Sequence, residues 1–362
     1  MDFSLSAEQQ MLREEARSWL AAKLPAERVV EIADSGSGWD PDLWPQMAEL
    51  GWVGLSAPSE AGGAGMTFLE EAVLFEEFGR ALYPGPFFAT VGLCLPALSA
   101  VPDLCERVAA GEITFSFAWA EPSGPLTLYE AESYGTKAAN GDGAWRLSGE
   151  KVLVPDAAAV SHFVVAAGTA EGPALFAAEA HGERSSTMDS TRPLGTVRFD
   201  ETPATMIAGA EAFEGLLERI RLRAHAALAL EGVGVAEAAL TMAVDHSKTR
   251  SQFGRPIGAY QAVSHQVADT YMDVELARSL AYWAAWCVAE ADPQAPAAVA
   301  AAKSFAGEAA VRACERSIQV HGGMGFTWEH MLHRYYKRAQ WIDSFDGYGP
   351  AHRAEIAGRL VD

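Results

Sequence analysis

The spacing of apolar residues predicts that the chain begins with packed helices. From Leu5 to about Ala109, apolar positions recur three and four residues apart, as in the stripe that includes Ala16 and Leu20. Ser6, with a glutamine three residues later, is typical of a capping box at the start of the first helix. We therefore expect an N-terminal α-helical region.

The pattern changes between about Ile113 and Glu211. Short runs of β-branched and aromatic residues replace the helical spacing, and Gly141-Asp142-Gly143 supplies the turn chemistry of a hairpin. From about Phe213 onward, long alanine-rich helical patterns return. Helices, a small antiparallel unit and helices again are the order expected of three packed domains. The predicted domains are residues 1–112, 113–212 and 213–362.

Three glycines end the helical pattern of residues 297–318. Gly322, Gly323 and Gly325 follow it, and glycine is poor in a helix interior because it loses the most backbone entropy on ordering. A helix that ends here exposes bare backbone, which a bulky anionic ligand can approach closely. Taken alone, the glycines are better explained as a helix end and a tight turn. The segment 250–257, described below, changes that preference.

Composition narrows the function. The chain has 362 residues, and this length is enough for two or three packed units. About half of the residues are hydrophobic, as expected of a globular protein. Its formal net charge of −21 argues against nucleic acid and anionic membrane surfaces as partners, because both are bound by neutralising negative charge. No stretch of eighteen apolar residues lacks charges or helix breakers, and the first residues lack the basic segment of a secretory signal, so we expect neither a membrane span nor a secretory signal.

The cysteines predict a compartment. Cys94, Cys105, Cys287 and Cys314 show neither paired spacing nor a metal-site pattern. Unpaired cysteines are typical of reducing compartments, where they behave as small hydrophobic residues. We therefore expect reduced thiols in a cytoplasmic protein.

Several short segments together carry a family resemblance. Each is weak alone, but their order and spacing cover nearly the whole chain. On them the sequence resembles the acyl-CoA dehydrogenase family of flavoproteins. The segments are 3–10 (FSLSAEQQ), 51–55 (GWVGL), 58–65 (PSEAGGAG), 120–122 (AEP), 147–151 (LSGEK), 250–257 (RSQFGRPI) and 319–326 (QVHGGMGF).

The resemblance implies a fold and a cofactor. The fold would be α+β, with an N-terminal α-helical domain, a small central β-barrel domain and a C-terminal four-helix-bundle domain. The cofactor would be FAD, bound between subunits, so the protein would be an oligomer. One chain would supply a guanidinium and another the glycine bend that touch the pyrophosphate.

The resemblance also assigns the residues that contact the nucleotide part of FAD. Arg250 would clamp the pyrophosphate, because a guanidinium matches two phosphate oxygens at once. Phe253 would pack against the same cofactor, and Gln261 would lie on the adenine side. The turn over the adenosine pyrophosphate would consist of Gln319, Gly322 and Gly323.

The segments that would hold the flavin ring depart from the family pattern. Ala120 stands where members commonly have a threonine that hydrogen-bonds near flavin N5. Leu153-Val154-Pro155 replaces the usual Trp-Ile-Thr, so a stacking ring and a second hydroxyl are missing, and proline cannot donate. Backbone N–H groups near Ala120 and Glu121 remain as candidate contacts, and Val154 is also assigned to the cofactor site. We expect a flavin that is held less tightly, or only where a partner completes the site.

The catalytic base is expected at Asp346. Most family members carry a glutamate in a Tyr-Glu-Gly motif there, whereas this chain reads Phe345-Asp346-Gly347. Aspartate retracts the carboxylate by about one ångström, a displacement that can cost on the order of 10²-fold in rate. Some members place the base on the helix after the β domain, but that position holds Ala224, beside Arg223. That Asp346 is simply a turn residue before a glycine stays open.

These assignments predict the α,β-dehydrogenation of an acyl-CoA to the trans-2-enoyl-CoA, with electrons passed to an electron-transfer flavoprotein. Two alternatives stay open. In the first, the chain is a catalytically reduced or non-catalytic subunit that completes the FAD site of a heterotetramer. The substituted residues at 120, 153 and 155, together with Ala224, motivate it, and segment 348–353 resembles actinobacterial members that pair unlike subunits in steroid or side-chain catabolism. In the second, the chain is a flavin oxidase, since a nitroalkane-oxidising branch of the superfamily uses aspartate as its base.

Overall fold

The computed structural model describes residues 5–124, 126–128, 134–141 and 143–361. Phe3 and Ser4 of the opening family segment and Asp142 of the hairpin turn lie outside these residues. The helices are α1 (Ala7–Lys23), α2 (Ala26–Ala33), α3 (Leu43–Glu49), α4 (Phe68–Arg80), α5 (Leu95–Leu98), α6 (Pro102–Ala109), α7 (Ala210–Thr249), α8 (Gln261–Ala289), α9 (Ala295–His321), α10 (Leu332–Ser344) and α11 (Gly349–Val361). The strands are β1 (Phe115–Ala118), β2 (Lys137–Gly141), β3 (Ala144–Pro155), β4 (His162–Gly168), β5 (Pro173–Glu179), β6 (Gly182–Arg184), β7 (Leu194–Ala208), β8 (Ser251–Gln252) and β9 (Arg255–Pro256).

The chain forms two compact units. The first is helical and consists of Met1–Val29, Phe68–Tyr83 and His225–Asp362; the second consists of Val30–Thr67 and Pro84–Ala224. The predicted helical, β and helical order is confirmed, and with it the α+β fold class. The predicted boundaries near 112 and 212 stay a prediction.

The first unit begins with the expected cap. The Ser6 side chain accepts a hydrogen bond from the Gln9 N–H, and the Gln9 side chain accepts one from the Ser6 N–H. Two N–H groups at the start of α1 are thereby satisfied. Ala16 and Leu20, from the predicted stripe, are buried.

Two glycines let α4 and α7 cross at close range. A Cβ added to Gly234 would lie 1.9 Å from the Glu76 carbonyl oxygen, and one added to Gly79 would lie 2.1 Å from that of Glu231. Backbone therefore touches backbone at this crossing, where a side chain has no room.

We expect Gly234→Ala to lower the free energy of unfolding by about 3 kcal/mol, because a methyl group there must separate the two helices. The control is Gly215→Ala in the same helix, where an added Cβ meets nothing within 4 Å. That change is expected to raise stability by up to ~1 kcal/mol through helix propensity. Urea unfolding of both variants measures the difference; equal effects would contradict the close crossing.

The second unit contains a seven-stranded sheet that closes on itself. Its order is β1-β4-β2-β3-β7-β5, with β6 paired to β7 and a further pairing between β4 and β5. The return of β5 to β4 makes the sheet barrel-like, and alternate side chains fill its interior. The β2–β3 hairpin is present, with Gly141 paired to Ala144.

Helix α7 is a core helix. It is 40 residues long, and a window of it is apolar enough to cross a membrane, but 72% of that window is buried inside the protein. Burial within a folded domain explains the composition. The four cysteines are also buried, and none is in a disulfide.

Candidate active site

The segment that carries Arg250 forms an exposed hairpin at the end of α7. The Ile257 N–H donates to the Arg250 carbonyl oxygen (2.9 Å), and β8 pairs with β9. Phe253 and Gly254 form the tip at φ +51° and +84°. The Phe253 ring is 93% exposed, and the Arg250 side chain is also exposed. Gln261 is exposed at the start of α8, directly after the hairpin.

The predicted glycine turn ends α9. Gly322, at φ +63°, follows His321 and begins a 3₁₀ helix that runs from Gly322 to Phe326. A Cβ added at Gly322 or Gly323 would meet nothing within 4 Å, so both lie beside open space. Gln319, one turn earlier, is exposed. The bare backbone predicted for an anionic ligand is therefore present and accessible.

The arginine segment and the glycine turn adjoin within one chain. The Arg250 N–H donates to the carbonyl oxygen of His246 (2.9 Å) in the last turn of α7. The His246 ring stacks on His321, with centroids 4.3 Å apart and an angle of 24° between the planes. One chain presents both elements near each other. The expectation that two different chains supply the guanidinium and the glycine bend to one FAD stays a prediction.

This surface fits the nucleotide part of FAD. It combines an exposed guanidinium, an exposed aromatic ring and a backbone turn with room for a ligand, within one compact unit. A pyrophosphate needs donors and positive charge in just such an open arrangement.

The residues assigned to the flavin ring lie in the second unit. Ala120 is buried, and its carbonyl oxygen accepts a hydrogen bond from the Val152 N–H (2.9 Å). Val154 is fully buried in the core of the sheet, so only its backbone can serve a ligand. An irregularity in the pairing of β3 with β7 between Lys151 and Val154 turns the intervening Leu153 outward, at φ +53° and 46% exposed.

Leu153 was missed at the sequence level because nothing in a run of β-type residues marks a leucine at positive φ. A β-bulge of this kind re-aims a side chain and is common beside functional sites. In this segment Leu153, rather than Val154, presents its side chain outward.

A buried ion pair supports the same segment. The Lys151 ammonium donates to the Glu121 carboxylate (2.7 Å) and to the Trp119 carbonyl oxygen (3.1 Å), and its side chain is fully buried. Burial lowers the pKa of Lys151 to about 8, against the opposing effect of Glu121. Glu121 also accepts hydrogen bonds from the N–H groups of Gly135 and Thr136. Both residues belong to family-like segments, but a sequence does not reveal that they touch.

Asp346 lies in the turn between α10 and α11. Its φ is +53°, and its side chain is fully enclosed. His225 Nε2 lies 2.8 Å from Asp346 Oδ2, and the His225 side chain is fully enclosed as well. An ionised carboxylate only accepts, so Nε2 carries the proton whenever Asp346 is charged. Position 225 directly follows Ala224, the alternative family site for the base.

A second histidine completes this cluster. His352 of α11 contacts His225 with ring centroids 5.1 Å apart, and its Nε2 lies 3.1 Å from the Gly347 carbonyl oxygen. Burial, with His225 and Lys303 nearby, lowers the pKa of His352 to about 3. His352 is therefore neutral at ordinary pH and donates to the turn that carries Asp346.

The low pKa of His352 predicts acid sensitivity. The pKa of His352 is near 6.5 in the unfolded chain and about 3 in the folded protein, so between these pH values only the unfolded chain binds a proton at this residue. The contribution of neutral His352 to stability is therefore complete above pH 6.5 and is lost as the pH falls toward 3. His352→Gln keeps a donor for the turn and cannot titrate. We expect the variant to lose less stability than the wild type below pH 6.5, by about 1 kcal/mol per pH unit. Urea unfolding between pH 4 and 7 measures this, and parallel curves would contradict it.

Fold and site together define a class. A helical and barrel-like protein with an exposed guanidinium and a glycine turn at one end of a long helix, and an aspartate contacted by a histidine of the same helix, is compatible with a flavin-dependent oxidoreductase.

Known proteins agree with this class. Residues 209–361 match the acyl-CoA dehydrogenase C-terminal domain, and residues 6–101 match the N-terminal domain. Acyl-CoA dehydrogenase IpdE2 of Mycobacterium tuberculosis is 33% identical over 92% of this chain and 91% of that protein. A solved variant of the Tcur3481-Tcur3483 steroid ACAD is 30% identical, covers 98% of each chain and has a TM-score of 0.86. The ChsE4-ChsE5 complex of M. tuberculosis is 26% identical, covers 100% of this chain and 99% of that one, and has a TM-score of 0.88.

The chain belongs to the acyl-CoA dehydrogenase family. The predicted family and enzyme class, an oxidoreductase acting on acyl-CoA, are thereby confirmed. FAD, the expected cofactor, is confirmed as the cofactor of this family.

Proposed function

We propose that the chain catalyses the FAD-dependent α,β-dehydrogenation of an acyl-CoA to the trans-2-enoyl-CoA, in an oligomer, with electrons passed to an electron-transfer flavoprotein. The observation that carries this proposal is the intact nucleotide surface, where Arg250 and the Gly322–Phe326 turn adjoin through stacked histidines. That surface has no evident purpose in a protein that never binds a dinucleotide.

The proposal gives each residue a task. Arg250, Phe253, Gln261 and Gln319, with the N–H groups of Gly322 and Gly323, hold the nucleotide part of the cofactor. The backbone at Ala120 and Val154, fixed by the Lys151–Glu121 pair, lies along the flavin ring. FAD, when bound, supplies the hydride acceptor.

Asp346 takes the α-proton of the thioester in this proposal. The His225 Nε2–H donates to the Asp346 carboxylate, which is therefore already oriented when it takes the α-proton of the thioester. This fixed orientation offsets the rate cost of the shorter aspartate side chain, because the position of the base contributes strongly to the rate.

The direct test is anaerobic stopped-flow bleaching of the flavin by acyl-CoA thioesters. Straight-chain, branched and steroid side-chain thioesters form the panel, because a steroid dehydrogenase is among the similar structures. We expect at least one of them to bleach the flavin, and re-oxidation to require an electron-transfer flavoprotein. Peroxide formation in air at the same rate would instead favour an oxidase, and failure of every thioester in every assembly would reject the proposal.

A second candidate is favoured by the enclosure of Asp346. A base must touch its substrate, whereas this side chain is fully buried against His225. The chain would then complete the FAD site of a partner that carries out the chemistry, and the similar ChsE4-ChsE5 complex is named for two unlike subunits. FAD content and turnover of the purified chain, measured alone and with a co-expressed paralogue, separate the two. Full occupancy and turnover alone would remove this candidate.

The compartment proposed for the protein is the cytoplasm. The four buried cysteines without disulfides support a reducing environment. Fatty acid or steroid catabolism is the proposed setting.

A further inference from the structure

Three histidine rings lie directly beneath the nucleotide surface. His246 belongs to the last turn of α7, His321 is the last residue of α9, and His330 precedes α10. His321 contacts both neighbours, with centroids 4.3 Å from His246 and 4.6 Å from His330. We call this set the histidine stack. It joins three segments that are far apart in the sequence.

Hydrogen bonds fix the protons of two of these rings. Nδ1 of His321 lies 2.8 Å from the Ser317 carbonyl oxygen, which can only accept, so this nitrogen carries a proton. Nδ1 of His330 accepts from the Leu332 N–H (3.2 Å) and is therefore unprotonated. Burial, followed by the neighbouring histidines, lowers the pKa of both His246 and His330. The neutral forms of His246 and His330 are thereby favoured, and the three rings pack against one another.

The stack reaches both parts of the nucleotide surface. On one side, the His246 carbonyl oxygen accepts from the Arg250 N–H, which fixes where the hairpin begins. On the other, the glycine turn folds back onto His321. A Cβ added to Gly325 would lie 2.9 Å from the His321 Cβ and 2.9 Å from the Ile318 carbonyl oxygen. Each part of the surface therefore adjoins the main chain or Cβ of a histidine, and the rings of those two histidines are in contact.

We infer that His246, His321 and His330 are positioning residues for FAD. They set the spacing between the Arg250 guanidinium and the glycine turn, so that both reach one dinucleotide at once. Preorganisation of this kind contributes to affinity because the ligand does not have to order the two segments itself. The inference rests on FAD binding but not on Asp346, so it holds under either candidate function.

The first test is amide hydrogen exchange of the purified protein, which does not depend on bound cofactor. His246→Ala lies outside the glycine turn, and we expect it to speed exchange of residues 322–326 by about 5-fold, since loss of an aromatic contact is worth roughly 1 kcal/mol. His246→Phe keeps a ring and is expected to restore slow exchange. The control is His181→Ala, an exposed histidine of the second unit. Unchanged exchange of 322–326 in His246→Ala would overturn the inference.

The second test is FAD affinity, measured by flavin fluorescence during reconstitution, in the assembly that retains FAD in the wild type. We expect His321→Ala to raise the Kd about 10-fold or more because it removes two ring contacts. His246→Ala combined with His321→Ala is expected to cost less than the sum of the two, because they share one contact. His321→Phe is expected to stay within about 3-fold of the wild type. Equal weakening by alanine and phenylalanine would show that stacking is not the cause and would overturn the inference.

Discussion

Asp346→Asn is expected to slow flavin reduction by acyl-CoA by about 10²–10⁴-fold, the usual contribution of a positioned general base. Asparagine matches aspartate in shape and still offers an oxygen to His225 Nε2, but it cannot accept the α-proton. The structure and FAD content should therefore stay unchanged while the rate falls. Stopped-flow reduction at saturating thioester is the measurement, with flavin absorbance and thermal unfolding as checks on folding.

Asp346→Glu is the matched control. It keeps the charge and restores the length that most family members use, so it is expected to retain measurable reduction. If Asp346→Asn reduces flavin as fast as the wild type, Asp346 is not the base. The enclosed aspartate would then be a structural partner of His225, and the site-completing role would be the better account of this chain.

The second large effect concerns stability. Arg338→Met is expected to lower the free energy of unfolding by about 3–5 kcal/mol, because it leaves the charge of Glu231 in the interior without its guanidinium. Arg338 Nη1 lies 2.5 Å from Glu231 Oε1, the two side chains are 0% and 2% exposed, and Nη2 also donates to the Tyr83 carbonyl oxygen. Urea unfolding at neutral pH measures the loss.

Two variants control this experiment. Arg338→Met with Glu231→Leu removes both charges and is expected to recover most of the loss, since an apolar pair of similar size can replace a buried ion pair. Arg359→Met breaks the more exposed Arg359–Glu355 pair and is expected to change stability by less than about 1 kcal/mol. A small effect of Arg338→Met would mean that the buried pair contributes little to the fold.

The end of α9 at the glycines was predictable because its signal is local. The three glycines indicate the end of the helix within a few residues, whereas the segment from Arg250 to Phe253 was singled out by the family resemblance. The Ser6 cap and the apolar stripe of α1 are local for the same reason. Each of these features depends on spacing along the chain, which a sequence displays directly.

What surrounds Asp346 was not predictable. His225 lies 121 positions from Asp346 in the sequence, and the contact exists only because α7 packs against the turn before α11. The histidine stack and the outward turn of Leu153 at positive φ depend likewise on tertiary packing. The family resemblance therefore proposed the base and the nucleotide contacts, whereas the side chains packed around them could not be predicted from a single sequence.

The length of α7 has a consequence for how sites are shared. Arg250 follows this helix directly, and His225, which holds Asp346, lies 25 residues earlier on it. At 1.5 Å per residue, about 38 Å of helix separate the two positions. We therefore expect Arg250 and Asp346 of one polypeptide to serve different active sites of the proposed oligomer. We expect that a mixed oligomer of two inactive variants, one altered at Arg250 and the other at Asp346, regains activity, because some active sites would then receive both native residues.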